Sequence, residues 1–257
     1  MGTFLRYGEY MLTKEDLLSQ SVLPNISDIS LLIYTEFSEQ FLMNRKLHYF
    51  FTDETDMVVE FREWGIYHML SIQHINSRIK NHAFFEAVHN GLELSSFEEN
   101  KAIKQRYKKQ KQRITAFSCL YYSLIHGDAF FIPSGHVKNT AKVEADYLIF
   151  HMSNTKGLNY GLRKVGDVYV PITILISKSS DPDEYLDDSI QKIIKKLEIL
   201  DMNDNILGQL TNVKQTSELV FCADTQSQAK FIIARAYEKT MLLHDLFSIH
   251  VSLYIQR

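Results

Sequence analysis

Two histidines stand in an otherwise apolar stretch, FREWGIYHMLSIQHI, at residues 61–75. At about 100° per residue, His68 falls on the apolar face that carries Trp64 and Ile72, whereas His74 falls elsewhere. An imidazole can act as a general acid or base near neutral pH. On periodicity alone, however, His68 is typical of a core histidine bonded to a backbone carbonyl. The two histidines are six residues apart, whereas metal ligands on one helix face are about three or four apart, so no metal site is predicted here.

A basic run lies within the longest helical pattern of the chain, at residues 95–126. From Asn100 to Arg113 it holds no acidic residue and seven basic ones: Lys101, Lys104, Arg106, Lys108, Lys109, Lys111 and Arg113. The lysines opposite the apolar face are typical of a solvated surface. Arg106 and Arg113 fall at the edge of the apolar face, where a guanidinium can bind phosphate or carboxylate bidentately. We expect at least one of these two arginines to contact a phosphate.

Other catalytic signatures are sparse. The adjacent pair His244 and Asp245 is typical of metal-dependent phosphohydrolases, but the companion ligand motifs of that class are not evident. The sequence also contains no phosphate-binding loop of the Walker type, no dinucleotide-binding glycine motif and no Gly-x-Ser-x-Gly motif. We predict neither a metal nor a cofactor, and keep a metal-dependent phosphohydrolase as an alternative.

Composition is that of an ordinary packed protein: 257 residues, 45% hydrophobic and 23% charged, with a net charge of -3. Because the whole chain is not cationic, any contact with nucleic acid must come from a local basic patch. The two cysteines, Cys119 and Cys222, fit a reducing compartment. With neither a signal-peptide pattern nor a long uncharged apolar segment in the sequence, we predict a cytoplasmic protein without membrane association.

Periodicity predicts helices first and strands later. Helical spacing extends over 14–45, 64–80 and 95–126, and a period of two predicts a β-hairpin over 46–61. Beyond Gly127, short strand-like runs predict an antiparallel sheet. A last helix is predicted where four apolar residues recur in register between Asp183 and Leu200: Ile190, Ile193, Ile194 and Leu197. The predicted class is α+β, with a mixed segment over 205–257.

Four short motifs occur in a fixed order: HMLSI from His68, RITAF from Arg113, ADYLIF from Ala145 and YVPIT from Tyr169. In this order they resemble the fourth subfamily of the phage-associated nuclease-like domains of the Barnase, EndoU, Colicin E5/D and RelE fold group. The family motifs read His-Leu-Leu-Gly-Leu, Arg-Ile-x-x-Phe, Ala-Asp-Phe/Tyr and Tyr-x-Pro-x-Ser. The first of them follows a strand hairpin, as HMLSI follows the predicted hairpin here.

The resemblance implies a division of the chain. Residues 46–180 would form the nuclease-like domain, in which the helices and hairpin precede an antiparallel sheet of the Barnase, EndoU, Colicin and RelE type. Residues 1–45 would be an N-terminal helical segment, and residues 181–257 a C-terminal extension of unknown role.

The resemblance also implies site residues. His68, Arg113, Tyr169 and Thr173 would line the catalytic cleft, with His68 as general acid or base and Arg113 stabilising charge on the phosphoryl group. Strand alternation predicts that Tyr169 and Thr173 share one face and orient the phosphate together. Ser71 stands where the family has glycine, and Thr173 where it has serine. The predicted substrate-binding residues are Arg106, Lys109, Lys142 and Lys164.

The implied activity is that of a metal-independent endoribonuclease, a toxin or effector of phage or phage defence. Its implied partners are RNA and a protein inhibitor or antitoxin. A second interpretation is a catalytically inactive module of the same fold that binds RNA or protein, since Ser71 departs from the family pattern.

Overall fold

The computed structural model describes residues 11–140, 143–154 and 156–211, together with the backbone of residues 218–221. Several of the predictions above fall outside the described residues: Lys142, Cys222, the pair His244 and Asp245, and most of the mixed segment.

Eight α-helices lie in the described residues. Their bounds are Lys14–Leu17 (α1), Leu31–Phe37 (α2), Glu63–Met69 (α3), Ile72–Ile75 (α4), Phe84–His89 (α5), Leu94–Glu99 (α6), Lys101–Phe117 (α7) and Leu120–His126 (α8). A π-helical turn, Ser38–Leu42, continues α2. The predicted helices were therefore too long, because extended or turn residues interrupt each of them. Asn100, for example, is extended and caps α7 by accepting a hydrogen bond from the backbone N–H of Ala102 at 3.0 Å.

Ten β-strands form one mixed sheet in the described residues. Their bounds are Arg45–Phe51 (β1), Asp56–Glu60 (β2), Asp128–Phe131 (β3), Tyr147–Ser153 (β4), Lys156–Val165 (β5), Val168–Ile176 (β6), Ile190–Lys192 (β7), Ile194–Asp201 (β8), Ile206–Thr211 (β9) and Glu218–Phe221 (β10). The strand order is β10-β9-β8-β1-β2-β6-β5-β4-β3-β7. All pairs are antiparallel except β2 with β6, which are parallel and pair only at Val59 and Tyr169. The strands beyond Gly127 pair antiparallel with one another, as expected, and the parallel pair joins them to the hairpin.

The sheet is strongly curled, because two consecutive strands pair with strands that lie far apart in the strand order. β7 pairs with β3 and β8 pairs with β1, although only Ile193 separates β7 from β8. Across the concave side, the rings of Phe51 in β1 and Tyr147 in β4 stack with centroids 6.0 Å apart. We call this concave side the inner face, and the opposite side the outer face.

The inner face receives the corner between α7 and α8. The Tyr49 hydroxyl donates to the carbonyl of Leu124 at 2.6 Å, and the Tyr160 hydroxyl donates to the carbonyl of Ala116 at 2.8 Å. All these groups are buried, so each bond satisfies polar atoms that water does not reach. The main hydrophobic core thus lies between the curled sheet and the helices.

The helix predicted from Asp183 to Leu200 is wrong. Turns occupy residues 182–188, and β7 and β8 follow. Leu197 is buried opposite Tyr49 of β1, whereas Ile190 and Ile193 are 52% and 58% exposed. Strands from both sides of the predicted boundary at residue 180 therefore belong to one sheet. No helix among the described residues combines the length and the apolar character needed to cross a membrane.

Candidate functional site

Ser71 brings two of the predicted site residues together. It follows the end of α3, is fully buried and has a left-handed backbone with φ 58°. Its N–H donates to the carbonyl oxygen of His68 at 2.9 Å, and its hydroxyl accepts a hydrogen bond from Nη1 of Arg113 at 3.2 Å. The backbone of His68 on α3 and the side chain of Arg113 on α7 therefore both contact the turn between α3 and α4.

The imidazole of His68 is half-buried among aromatic rings. Its ring centroid lies 6.1 Å from that of Trp64 and 5.4 Å from that of Tyr67, both edge-on. Burial lowers the pKa of His68 below its ordinary value, and the nearby His74 lowers it further. The neutral imidazole therefore predominates at pH 7, which is the form that can accept a proton.

Arg113 holds its positive charge without an acidic partner in the described part of the chain. Its side chain is half-buried, and no carboxylate of residues 11–140, 143–154 or 156–211 lies within ion-pair distance of it. Burial lowers the pKa of Arg113 and an electrostatic interaction with Tyr185 opposes this, but an arginine remains protonated in proteins. A partly desolvated guanidinium with unused donors is suited to bind an anion.

Tyr169 and Thr173 do not share a face, so the prediction from strand alternation is wrong. In the pairing of β5 with β6, Leu162 faces Pro171 but Gly161 faces Thr173, which leaves Ile172 as an extra, bulged residue. The bulge reverses the alternation. Tyr169 consequently lies on the inner face and Thr173 on the outer face.

Side-chain contacts agree with this assignment. The Tyr169 ring meets Tyr147 edge-on at 5.3 Å. The Thr173 methyl lies over Gly161, where an added Cβ would be 2.6 Å from it and 3.7 Å from Leu148. Tyr147 and Leu148 are neighbours in one strand and point to opposite faces. One phosphate therefore cannot contact both hydroxyl groups in this structure.

The predicted substrate-binding residues lie on two separate surfaces. Arg106 and Lys109 are exposed on α7, and Nη2 of Arg106 donates to the carbonyl of Ala102 in its own helix at 3.5 Å. Lys164 lies over the Tyr169 ring, with Nζ 6.0 Å from the centroid. Burial raises the pKa of Tyr169, as do the carboxylates of Asp146 and Asp56, which disfavour an anion beside them.

Sequence patterns did not identify two residues of this region, Tyr185 and Asn159. Tyr185, which interacts with Arg113, was assigned to a helix that the protein does not form. Asn159 is buried on β5 and was read only as part of a strand. No local pattern marks either residue, because the interaction of Tyr185 with Arg113 and the burial of Asn159 both depend on segments distant in the sequence.

Metal and ligand sites were also sought in the described residues. No group of three or more His, Cys, Asp or Glu residues there is arranged to hold a metal ion. A cavity of about 230 Å³ lies on the surface, lined by Ser134, His136, Glu144, Asp146 and Arg163 among others. Because Glu144 and Arg163 already pair at 3.0 Å, the charges of this cavity largely satisfy each other.

In comparisons with known proteins, no protein-family model, no curated protein and no solved structure matches the chain.

The left-handed backbone at Ser71 gives a stability prediction. Ser71→Gly and Ser71→Ala both remove the hydroxyl that Arg113 contacts, but only glycine adopts a positive φ without strain. We expect the glycine variant to be about 1 kcal/mol more stable to unfolding than the alanine variant. Urea unfolding of the two proteins measures the difference, and an alanine variant of equal or greater stability would contradict it.

Proposed function

We propose that the protein is a metal-independent endoribonuclease that cleaves RNA by attack of the 2'-hydroxyl on the adjacent phosphate. The observation that carries the proposal is the shared contact with Ser71 of the His68 backbone, whose imidazole is half-buried, and of a guanidinium without an acidic partner in the described residues. A base and a cation beside one phosphate are the groups that this reaction needs.

The reaction follows from the protonation states. Neutral His68 accepts the proton of the 2'-hydroxyl, and the resulting oxygen attacks phosphorus. The bond from phosphorus to the 5'-oxygen breaks, and that oxygen leaves with a proton from a general acid or water. Arg113 donates hydrogen bonds to the non-bridging oxygens as negative charge develops on them. The products are a 2',3'-cyclic phosphate and a 5'-hydroxyl end.

The resemblance to the phage-associated nuclease-like domains supports this assignment at one further position. That family has glycine where this chain has Ser71, and the backbone there is left-handed, a conformation that favours glycine. The glycine of the family motif is therefore compatible with the left-handed backbone that this chain has at the turn between α3 and α4. The same resemblance supports a Barnase-like arrangement of hairpin, helices and sheet for residues 46–180.

The bulge in β6 narrows the proposed set of site residues. His68 and Arg113 form the catalytic pair, and Thr173 belongs to the outer face of the sheet. Tyr169, on the inner face with Lys164, would contact a different part of the RNA from Thr173. An RNA-cleaving protein of this kind suits a toxin or effector of phage or phage defence that a protein inhibitor or antitoxin restrains.

The test uses the purified full-length protein and total RNA in the presence of EDTA. We expect fragmentation that added Mg²⁺ does not require, because neither the base nor the cation of the proposed mechanism is a metal. Intact RNA after prolonged incubation at several protein concentrations would contradict the proposal and favour the inactive binding module. Cleavage that appears only when a divalent metal is added would favour a metal-dependent phosphohydrolase.

A further inference from the structure

Asn159 has a buried amide without a hydrogen-bond partner among the described residues. The residue lies in the middle of β5 and is 0% exposed, and neither its amide oxygen nor its amide nitrogen is paired. Buried polar groups in native proteins are nearly always satisfied, since leaving one unpaired costs free energy. A fully unpaired amide therefore marks a position where a ligand can supply the missing partners.

The side chain of Asn159 lies on the outer face, on the same side as Thr173. Asn159 pairs with Leu175 in β6 and with Phe150 in β4, while Gly161 pairs with Thr173. Residues two apart in a strand share a face, so Asn159 and Gly161 both point outward. Gly157 and Gly161, two residues before and after Asn159, have no side chains, so few side-chain atoms project from this part of the outer face.

An acidic strap, which we define as residues 179–189, covers this face. Its Pro182 carbonyl lies over Gly157, where an added Cβ would be 2.4 Å from that oxygen. Tyr185 and Leu186 pack against a small hydrophobic cluster on the outer face, which includes Leu148 and Leu175. The strap contains no basic residue and five acidic ones: Asp181, Asp183, Glu184, Asp187 and Asp188.

The ion pairs that hold the strap in place involve mostly exposed side chains. Lys138 pairs with Asp188 at 2.9 Å, and Lys178 pairs with Glu184 at 3.6 Å. Most of these side chains are exposed, and ion pairs at exposed positions contribute little stability. Tyr185 and Leu186 are only half-buried, so displacing the strap exposes little apolar surface.

The strap also connects this face to the catalytic pair. Tyr185 interacts electrostatically with Arg113, whose guanidinium is bonded to Ser71. Five carboxylates thus belong to the segment that interacts with Arg113 through Tyr185, and RNA phosphates carry the same charge. A polyanion that binds Arg113 would displace the strap by repulsion and would uncover Asn159 at the same time.

We propose that the outer face centred on Asn159 is the nucleobase-binding wall of the ribonuclease site, and that the acidic strap covers it until RNA displaces the strap. This inference rests on the proposed function. The Asn159 amide offers an acceptor and two donors in one plane, which matches the paired donor and acceptor on the edge of an unpaired base.

The test measures binding of a 2'-O-methyl oligoribonucleotide, which has no free 2'-hydroxyl and is not cleaved by the proposed mechanism. Fluorescence anisotropy compares the wild type, Asn159→Leu and the exposed control Asn203→Leu in the full-length protein. Leucine has nearly the shape of asparagine and needs no partners. We expect Asn159→Leu to raise Kd at least tenfold while its Tm is unchanged or higher, and Asn203→Leu to bind like the wild type.

If Asn159→Leu does not fold, a second variant tests the proposed binding wall. Tyr185→Ala removes an anchor of the strap and leaves Asn159 in place, so we expect tighter RNA binding and faster proteolysis within residues 179–189. Wild-type affinity in Asn159→Leu would overturn the inference, as would unchanged binding in Tyr185→Ala or a wild type that does not bind the oligonucleotide.

The two proposals fail in different ways. A protein that binds the 2'-O-methyl RNA through Asn159 but leaves natural RNA intact contradicts the ribonuclease and supports the binding wall. A protein that cleaves natural RNA while Asn159→Leu binds normally supports the ribonuclease and contradicts the binding wall.

Discussion

His68→Ala is expected to lower the rate of RNA cleavage on the order of 100- to 10,000-fold, the range that a general base contributes. The imidazole is half-buried with a lowered pKa, and the carbonyl of the same residue accepts a hydrogen bond from Ser71, which Arg113 also contacts. Cleavage of a fluorescent RNA under single-turnover conditions measures the loss.

His82→Ala is the matched control, because His82 is exposed and removing its ring leaves the site intact. Equal rates for His68→Ala and His82→Ala would contradict the assignment. The pH profile gives a second check. Because burial lowers the pKa of His68, kcat/KM should fall only as pH drops below about 6.5, the ordinary histidine value, and not above it.

Arg113→Lys is expected to lower kcat on the order of 100-fold, although the positive charge is kept. Lysine has no planar fork, so it cannot donate two parallel hydrogen bonds from separate nitrogens to the phosphoryl oxygens, as the guanidinium can. The same change at exposed Arg106, Arg106→Lys, is the control on the same helix.

The division of the effect between kcat and KM distinguishes two roles for Arg113. A loss in kcat with little change in KM indicates stabilisation of charge in the transition state. A change confined to KM, or equal rates for Arg113→Lys and Arg106→Lys, would contradict that role and leave Arg113 as a general phosphate contact.

Local patterns predicted the parts of the fold that depend on neighbouring residues. The hairpin predicted over 46–61 is confirmed as β1 and β2, because alternating apolar residues flank a short polar turn in which Glu54 adopts a positive φ. The mixed α+β class is likewise confirmed.

The prediction was wrong where strands pair with partners that are distant in the sequence. The isoleucines between Asp183 and Leu200 recur at helical spacing, yet β7 and β8 pair with strands more than 50 residues earlier in the chain. Their β-branched side chains suit a strand, and only the partner strands decide between the two readings.

The candidate site likewise has residues that the sequence motifs predicted and structural features that they did not. The motif order along the chain led to His68 and Arg113, and in the structure the backbone of His68 and the side chain of Arg113 both contact Ser71. No periodicity predicts the left-handed turn that joins them, because a serine rarely adopts it. The bulge at Ile172 is equally invisible in YVPIT, and it separates Tyr169 from Thr173.

The central claim is that the 2'-hydroxyl of RNA is the attacking group, and one measurement tests it most directly. The substrate is a DNA oligonucleotide with a single ribonucleotide, incubated with the wild-type protein in EDTA, and the fragments are analysed by mass spectrometry. The proposed mechanism predicts one cut, on the 3' side of the ribonucleotide, with a 2',3'-cyclic phosphate and a 5'-hydroxyl. Cleavage at deoxynucleotides, or fragments with a 3'-hydroxyl and a 5'-phosphate, would contradict it.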